Sequence, residues 1–299
     1  MAYPSCRIEA VRLYDDRQVR ACNSGEVMDR REFLKCGAMA GAVTVFSPAA
    51  FAAALEEGSR RKTLILGGSA FALGYALAHP GEAVVLERGI LLAPEFAATK
   101  DYAELGTATS PLGRELVVGL EESGILKDGK IELPPLADFM SEFFAAHGGR
   151  AFLNVELVSV EASRESDMPW KLGVFGSAYT GVQTFDAARF FDTTPTGWRD
   201  CGADAVKAKT LWAITDRGAF GAEVPADANW HRARLALHDE FARRGDGAKL
   251  LVEANGFEYS YGGAKIERKT SAGFVWKPSA QYRTLMEAFE EGAKWNTMS

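Results

Sequence analysis

Cysteine and histidine are both scarce, with four of each in 299 residues. So few cysteines exclude a disulfide-stapled scaffold, and no His/Cys/Asp cluster has the spacing of a metal site. A basic surplus is missing as well. Lys+Arg number 34 against 40 Asp+Glu, for a net charge of −6 and a pI near 5.4, which argues against a nucleic-acid partner. There is no G-x-S-x-G elbow and no internal repeat, and Cys201 has no C-x-x-C partner, so a redox dithiol is excluded. Disorder is excluded too, because 47% of the residues are hydrophobic and such a chain can build a core. Glycine is the one surplus, at 30 residues, and tight loops against a ligand are one use for it. At roughly 150 residues per domain, the length suits two domains or one large one.

The first 53 residues read as an address. Arg30-Arg31-Glu32-Phe33-Leu34-Lys35 is followed by twenty residues without a charge, Cys36 to Leu55. Ala50-Phe51-Ala52 supplies the small-x-small pattern that a signal peptidase needs. The hexapeptide resembles a twin-arginine export signal, with cleavage expected near Ala52 or Ala53 and a periplasmic or secreted product. A membrane anchor is the competing reading, and Pro48 and the Ala/Gly content weaken it. Residues 1–27 are either a long leading region or sequence upstream of a start at Met28. Removal of residues 1–53 leaves 27 basic against 34 acidic residues, a net charge of −7, with Cys201 as the last cysteine. The twin-arginine route carries folded proteins, often with a cofactor aboard; this is what resemblance to the route implies.

The next stretch has a dinucleotide-binding pattern. Thr63–Leu66 reads as a short buried strand, Gly67-Gly68-Ser69-Ala70-Phe71-Ala72 as a turn running into a helix, and Ala83–Glu87 as a second strand ending in an acid. The spacing suits the chemistry: turn amides and a helix N-terminus meet a pyrophosphate, and an acid about twenty residues on accepts ribose hydroxyls. Against G-x-G-x-x-G, Gly67 holds the first place, Ser69 the second and Ala72 the third. Alanine is tolerated at the third, which sets helix–strand packing. Serine at the second crowds the phosphate, unless its hydroxyl donates to a phosphate oxygen.

Val84-Val85-Leu86-Glu87-Arg88-Gly89 resembles the V-x-L-E-[RK] strand end of FAD-dependent oxidoreductases of the glutathione-reductase type. Thr107–Ser110 is similar to the small-residue loop of that family, and the helical Leu136–Phe144 is followed by a strand at Ala151–Val155. Ala188-Arg189-Phe190-Phe191-Asp192-Thr193-Thr194-Pro195 resembles its A-x-x-[VF]-[IF]-D-A-T-G strand end, with Pro195 replacing the Gly. The resemblance covers about residues 62–205. It implies FAD as cofactor, with Gly67, Gly68, Ser69 and Ala72 along the pyrophosphate and Glu87 on the ribose, Arg88 beside it. It further implies that Leu157 meets the adenine through its backbone and that Asp192, Thr193 and Thr194 flank the pyrophosphate. A nicotinamide-dependent reductase fits Glu87 but not the L-E-R-G ending.

Later residues carry fewer signals. Thr210–Thr215 and Lys249–Glu253 read as strands, about Asn229 to Arg244 and Ala280 to Trp295 as helices, and Gly256, Gly262, Gly263 and Gly273 as hairpin loops. No Gly-Asp or Gly-rich segment closes over a flavin, so a protein partner could complete the site. His231 is the candidate for proton transfer, with an exposed helix residue as its plainer reading.

The expected fold is therefore α/β, a Rossmann-like FAD/NAD(P)-binding domain over 60–205 and a smaller α+β domain over 206–299. The expected function is that of an exported FAD-dependent oxidoreductase moving a hydride from a small-molecule substrate to flavin. The alternative is a flavin-free periplasmic binding or assembly subunit on the same fold.

Overall fold

The computed structural model describes residues 63–97, 102–162, 167–176 and 181–296. The twin-arginine region and its cleavage site lie outside the described residues. The chain divides into two units after Ala52, and every described residue belongs to the second.

The fold is α/β. In chain order it begins with β1 (Thr63–Leu66), α1 (Ala70–Ala78), β2 (Ala83–Leu86), a one-turn α2 (Pro94–Ala97) and β3 (Tyr102–Glu104). There follow α3 (Pro111–Glu122), β4 (Leu126–Lys127), β5 (Lys130–Glu132), α4 (Leu133–Ala146) and β6 (Ala151–Phe152). Next come β7 (Val155–Ala162), β8 (Trp170–Gly176), β9 (Gln183–Ala187) and β10 (Arg189–Asp192). The chain then forms β11 (Ala208–Thr215), β12 (Gly218–Pro225), α5 (Trp230–Arg244) and β13 (Leu250–Ser260). It ends with β14 (Arg268–Lys269), β15 (Val275–Trp276) and α6 (Leu285–Lys294).

The main sheet has the order β14-β15-β10-β1-β2-β6, and only its β14–β15 pair is antiparallel. Its central strands read as unbroken apolar runs because both faces are buried. Side chains alternate between two cores. Ile65, Val85 and Phe191 face the helices α1, α3, α4 and α6. Leu64, Leu66, Val84, Leu86 and Phe190 face the small sheet β7-β8-β9. The sheet is thus the middle layer of three. Helix α1 has no polar face, since residues 70–77 are all buried, and α6 covers the side turned away from the sheet. Their crossing is backbone on backbone: a Cβ on Gly74 would collide with the Phe289 carbonyl, and one on Gly292 with the Phe71 carbonyl.

The domain division expected at residue 205 is not the one the chain adopts. Only β11, β12, β13 and α5 form a separate layer pair with its own core. Residues 268–294 return to the first sheet and its helix layer, where Phe191 pairs with Val275 and Asp192 with Trp276. The reason is α1: without α6 its outer face would remain in water. Gly256, expected in a hairpin loop, lies inside the long strand β13.

Candidate functional site

The expected dinucleotide site lies at the carboxyl ends of β1, β2 and β10, where open α/β sheets bind their ligands. Gly67 turns the chain out of β1 with φ +95°, and its missing side chain is required: a Cβ there would come within 2.7 Å of Thr193 Oγ1. Ser69 is the N-cap of α1. Its hydroxyl accepts from the Ala72 N–H at 3.1 Å and donates to Thr193 Oγ1 at 2.8 Å. Thr193 in turn donates across Leu66 O at 3.0 Å and Gly67 O at 3.1 Å. The Ser69 hydroxyl therefore has two partners within the chain.

Glu87 ends β2 and is folded back onto the turn. Its carboxylate accepts from the Gly68 N–H at 2.5 Å and the Gly89 N–H at 2.6 Å. Beyond it the chain crosses over the turn. The Ala93 N–H donates to Gly68 O at 2.7 Å, and Leu92 packs so close that a Cβ on Gly68 would lie 2.9 Å from it. Glu95, on α2, then enters the start of α1. Its Oε1 accepts from the Ala70 N–H at 2.8 Å and from the Ser279 hydroxyl at 2.6 Å, and Ser279 Oγ accepts from the Phe71 N–H at 3.3 Å. A helix begins with amides that have no intrahelical partner. In α1 the amides of Ala70, Phe71 and Ala72 are satisfied by Glu95, Ser279 and Ser69.

Asp192, fully buried at the end of β10, holds the next turn. Its carboxylate accepts from the Thr194 N–H at 2.8 Å, the Thr194 hydroxyl at 2.7 Å and the Trp198 N–H at 2.5 Å. Burial outweighs these bonds and raises its pKa to about 6. Burial also raises Glu87 and Glu95, and Glu87 adds a further upward push on Glu95. Two carboxyl groups, Glu87 and Glu95, thus gather at the glycine turn and the start of α1, where the resemblance places a doubly charged pyrophosphate.

The structure brings Gly67, Gly68, Ser69, Ala72, Glu87, Asp192, Thr193 and Thr194 together. It does not bring the others. Arg88 points outward and pairs with Glu156 at 2.9 Å. Leu157, whose backbone was expected at the adenine, has its side chain packed in the core beneath the sheet, and its carbonyl accepts the Trp198 indole N–H at 2.9 Å. His231 is exposed on α5, whose buried face packs on the β11–β13 sheet. The sequence reading missed Glu95 and Ser279. Neither sits in a motif, and only the fold brings residues 184 positions apart into hydrogen-bond contact. Residues 277–279 run beside the end of β10: Lys277 N–H donates to Asp192 O at 2.8 Å and Ser279 N–H to Thr193 O at 3.1 Å.

In this arrangement the Gly68, Ala70, Phe71 and Ala72 amides are bonded to the chain's own carboxylates and hydroxyls, and Leu92 lies against Gly68.

No family model and no curated protein matches the chain. Solved structures with a similar path include a flavoprotein/dehydrogenase from Cytophaga hutchinsonii, 11% identical over 78% of this chain and 76% of that one, with a TM-score of 0.44. A geranylgeranyl bacteriochlorophyll reductase-like protein from Thermoplasma acidophilum is 12% identical over 78% and 76%, with a TM-score of 0.48. The glycerol-3-phosphate dehydrogenase from Bacillus halodurans complexed with FAD is 10% identical over 79% of this chain, with a TM-score of 0.47. This chain spans 64% of that dehydrogenase, less than two thirds of its length. The neighbours are flavoproteins and oxidoreductases; the function of this chain is argued from its own residues.

Proposed function

We propose that this protein is a flavin-free binding or assembly subunit built on the architecture of FAD-dependent oxidoreductases and exported by the twin-arginine route. One observation carries the reading: Glu95 holds the Ala70 amide and Glu87 the Gly68 amide, so the phosphate-binding donors are spent inside the chain. A pyrophosphate would also meet Asp192, and like charges in a buried site repel strongly. A binding role has a place to act on α5. There Trp230, His231, Arg234, Leu235 and His238 line a shallow hollow of about 440 Å³, and Trp230 and Leu235 are 39% and 53% exposed.

The absorption spectrum of the purified protein tests this. A colourless protein whose melting temperature ignores added FAD is expected; flavin bands, or a melting temperature that climbs with FAD, would sink the reading. For export, changing both Arg30 and Arg31 to Lys keeps the charge and removes the guanidinium geometry. The precursor should then stay in the cytoplasm, and unchanged secretion would remove the twin-arginine assignment.

A second reading has one observation in its favour. Glu87 and the Asp192–Thr194 turn lie beside Gly67, as an FAD-dependent oxidoreductase taking hydride from a small-molecule substrate would need. In that reading FAD displaces Glu95 and Leu92 on loading, and the same spectrum detects it.

A further inference from the structure

The geometry points to Glu95 as an internal substitute for a ligand phosphate: carried in by α2, its carboxylate takes the amides at the start of α1 and closes the crevice to phosphate-bearing dinucleotides. This inference rests on the flavin-free reading and names the residue responsible for it.

Glu95 and Glu87 differ in what they occupy. Glu87 lies at the end of β2, where an acid that binds ribose belongs, and its oxygens reach amides of the turn and of its own strand end. Its presence alone leaves the start of α1 open. Glu95 sits on the helix terminus itself, where the oriented peptide dipoles and the first amides favour an anion. One of its oxygens collects both Ala70 N–H and Ser279 Oγ–H, and Ser279 relays the Phe71 N–H to it. A phosphate oxygen would collect the same donors. The carboxylate is turned inward, with Oε2 shielded from solvent.

The segment that delivers Glu95 is anchored for the purpose. Ala93 N–H is bonded to Gly68 O at 2.7 Å, and Ala93 adopts a left-handed φ of 51°, which a residue with a Cβ adopts at a cost. Leu92 and Phe96 on either side are buried in the helix-side core. The chain thus crosses the mouth of the crevice with apolar anchors before and after the acid. Glu87 is near enough to raise the Glu95 pKa, so the pocket tolerates one further anion with difficulty. A phosphate enters only when Glu95 leaves.

The test uses the full chain and two probes, inorganic pyrophosphate and FAD, read by melting temperature and by quenching of FAD fluorescence. Wild type and Glu95→Gln, which keeps the shape and the acceptor, should respond to neither. Glu95→Ala empties the seat and should bind pyrophosphate at least about tenfold more tightly than wild type, with a saturable rise in melting temperature. Glu95→Ser, whose hydroxyl can still meet Ser279, should behave as the alanine variant does. If both small variants are unfolded when made, pyrophosphate should restore their cooperative melting; failure to do so overturns the inference. Binding by Glu95→Gln equal to that by Glu95→Ala, or no gain in either small variant, also overturns it. Wild type that takes up FAD defeats the flavin-free reading itself, so the two failures are distinguishable.

Discussion

Two helices of this protein begin against a carboxylate delivered from elsewhere in the chain, and the two carboxylates are held in opposite ways. At the start of α3, Glu290 of α6 accepts from the Thr109 and Ser110 amides at 2.8 and 2.7 Å and from their hydroxyls at 2.8 and 2.9 Å. Lys294, one turn further along α6, stands 3.3 Å away with its ammonium in water. Burial pushes the Glu290 pKa upward, but these donors overcome it and hold it down at about 2. At the start of α1, Glu95 accepts from the Ala70 N–H and the Ser279 hydroxyl and has Glu87 for a neighbour, and burial wins: its pKa is raised. The same helix-terminus electrostatics operate in both places. Depth of burial set against the hydrogen bonds received decides whether the ionised carboxylate stabilises the fold or burdens it. Glu290 is a tie between helices. Glu95 occupies a seat that is costly to fill with charge, which suits a place once shaped for something else.

The largest effect is expected where one change disturbs both regions. Gly292 lies in α6 between Glu290 and the crossing with α1. Gly292→Ala would drive a methyl group into the Phe71 carbonyl, and backbone cannot move aside as a side chain does. A loss of about 3 kcal/mol or more is expected, at the upper end for overpacking, measured by urea unfolding. A stability within error of wild type would show that the helices do not cross at these glycines.

Glu290→Gln comes next. A folded pKa near 2 against an ordinary value of 4.5 corresponds to about 3 kcal/mol at neutral pH. The pKa is depressed, so this stability is present above pH 4.5 and is lost as pH falls toward 2. The gap between wild type and Glu290→Gln should therefore close over that range; a gap that is constant with pH would assign the loss to packing.

Glu95→Gln should behave in the opposite sense. Its folded pKa lies above the ordinary 4.5, so the stability that the acid contributes is present below 4.5 and is lost as pH rises through the folded value. At pH 7 the glutamine variant should equal wild type or exceed it by about 1 kcal/mol, because the amide oxygen still accepts and no charge is buried. Wild type should gain on it as the solution is acidified. A marked loss at pH 7 would place Glu95 beside Glu290 as a stabilising tie and erase the comparison.

The smallest effect is expected at His231. It is exposed on α5 and distant in kind from both helix termini, so His231→Ala should shift stability by no more than about 0.5 kcal/mol. A larger change in the melting midpoint would mean that the α5 face is involved in the fold.

Much of this architecture was legible in the residues themselves. Thr63–Leu66 and Ala83–Leu86 carry their buried, two-faced character in uninterrupted apolar runs, and Gly67 marks a positive φ that no other residue takes comfortably. Glu87 at the end of β2 was found by spacing and the Asp192–Thr194 turn at the end of β10 by resemblance to a family motif, and the structure sets both near Gly67. The helix after Asn229 was also readable, because period 3.6 is a local property of the chain.

What local pattern could not carry was where each donor finds its acceptor. Glu95 reads as one more acid after a proline, and Ser279 as an ordinary loop serine. Leu157 looked available to a ligand until Trp198 took its carbonyl. The return of β15 and α6 to the first sheet depended on α1 needing cover on its second face, a demand of packing between segments some two hundred residues apart. The sequence by itself determined that an α/β sheet with a glycine turn and an acid-ended second strand would form. Tertiary structure alone decided who sits on the turn's amides, because a buried N–H must be bonded by whatever acceptor the completed fold brings within about 3 Å, and here the acceptors are the chain's own.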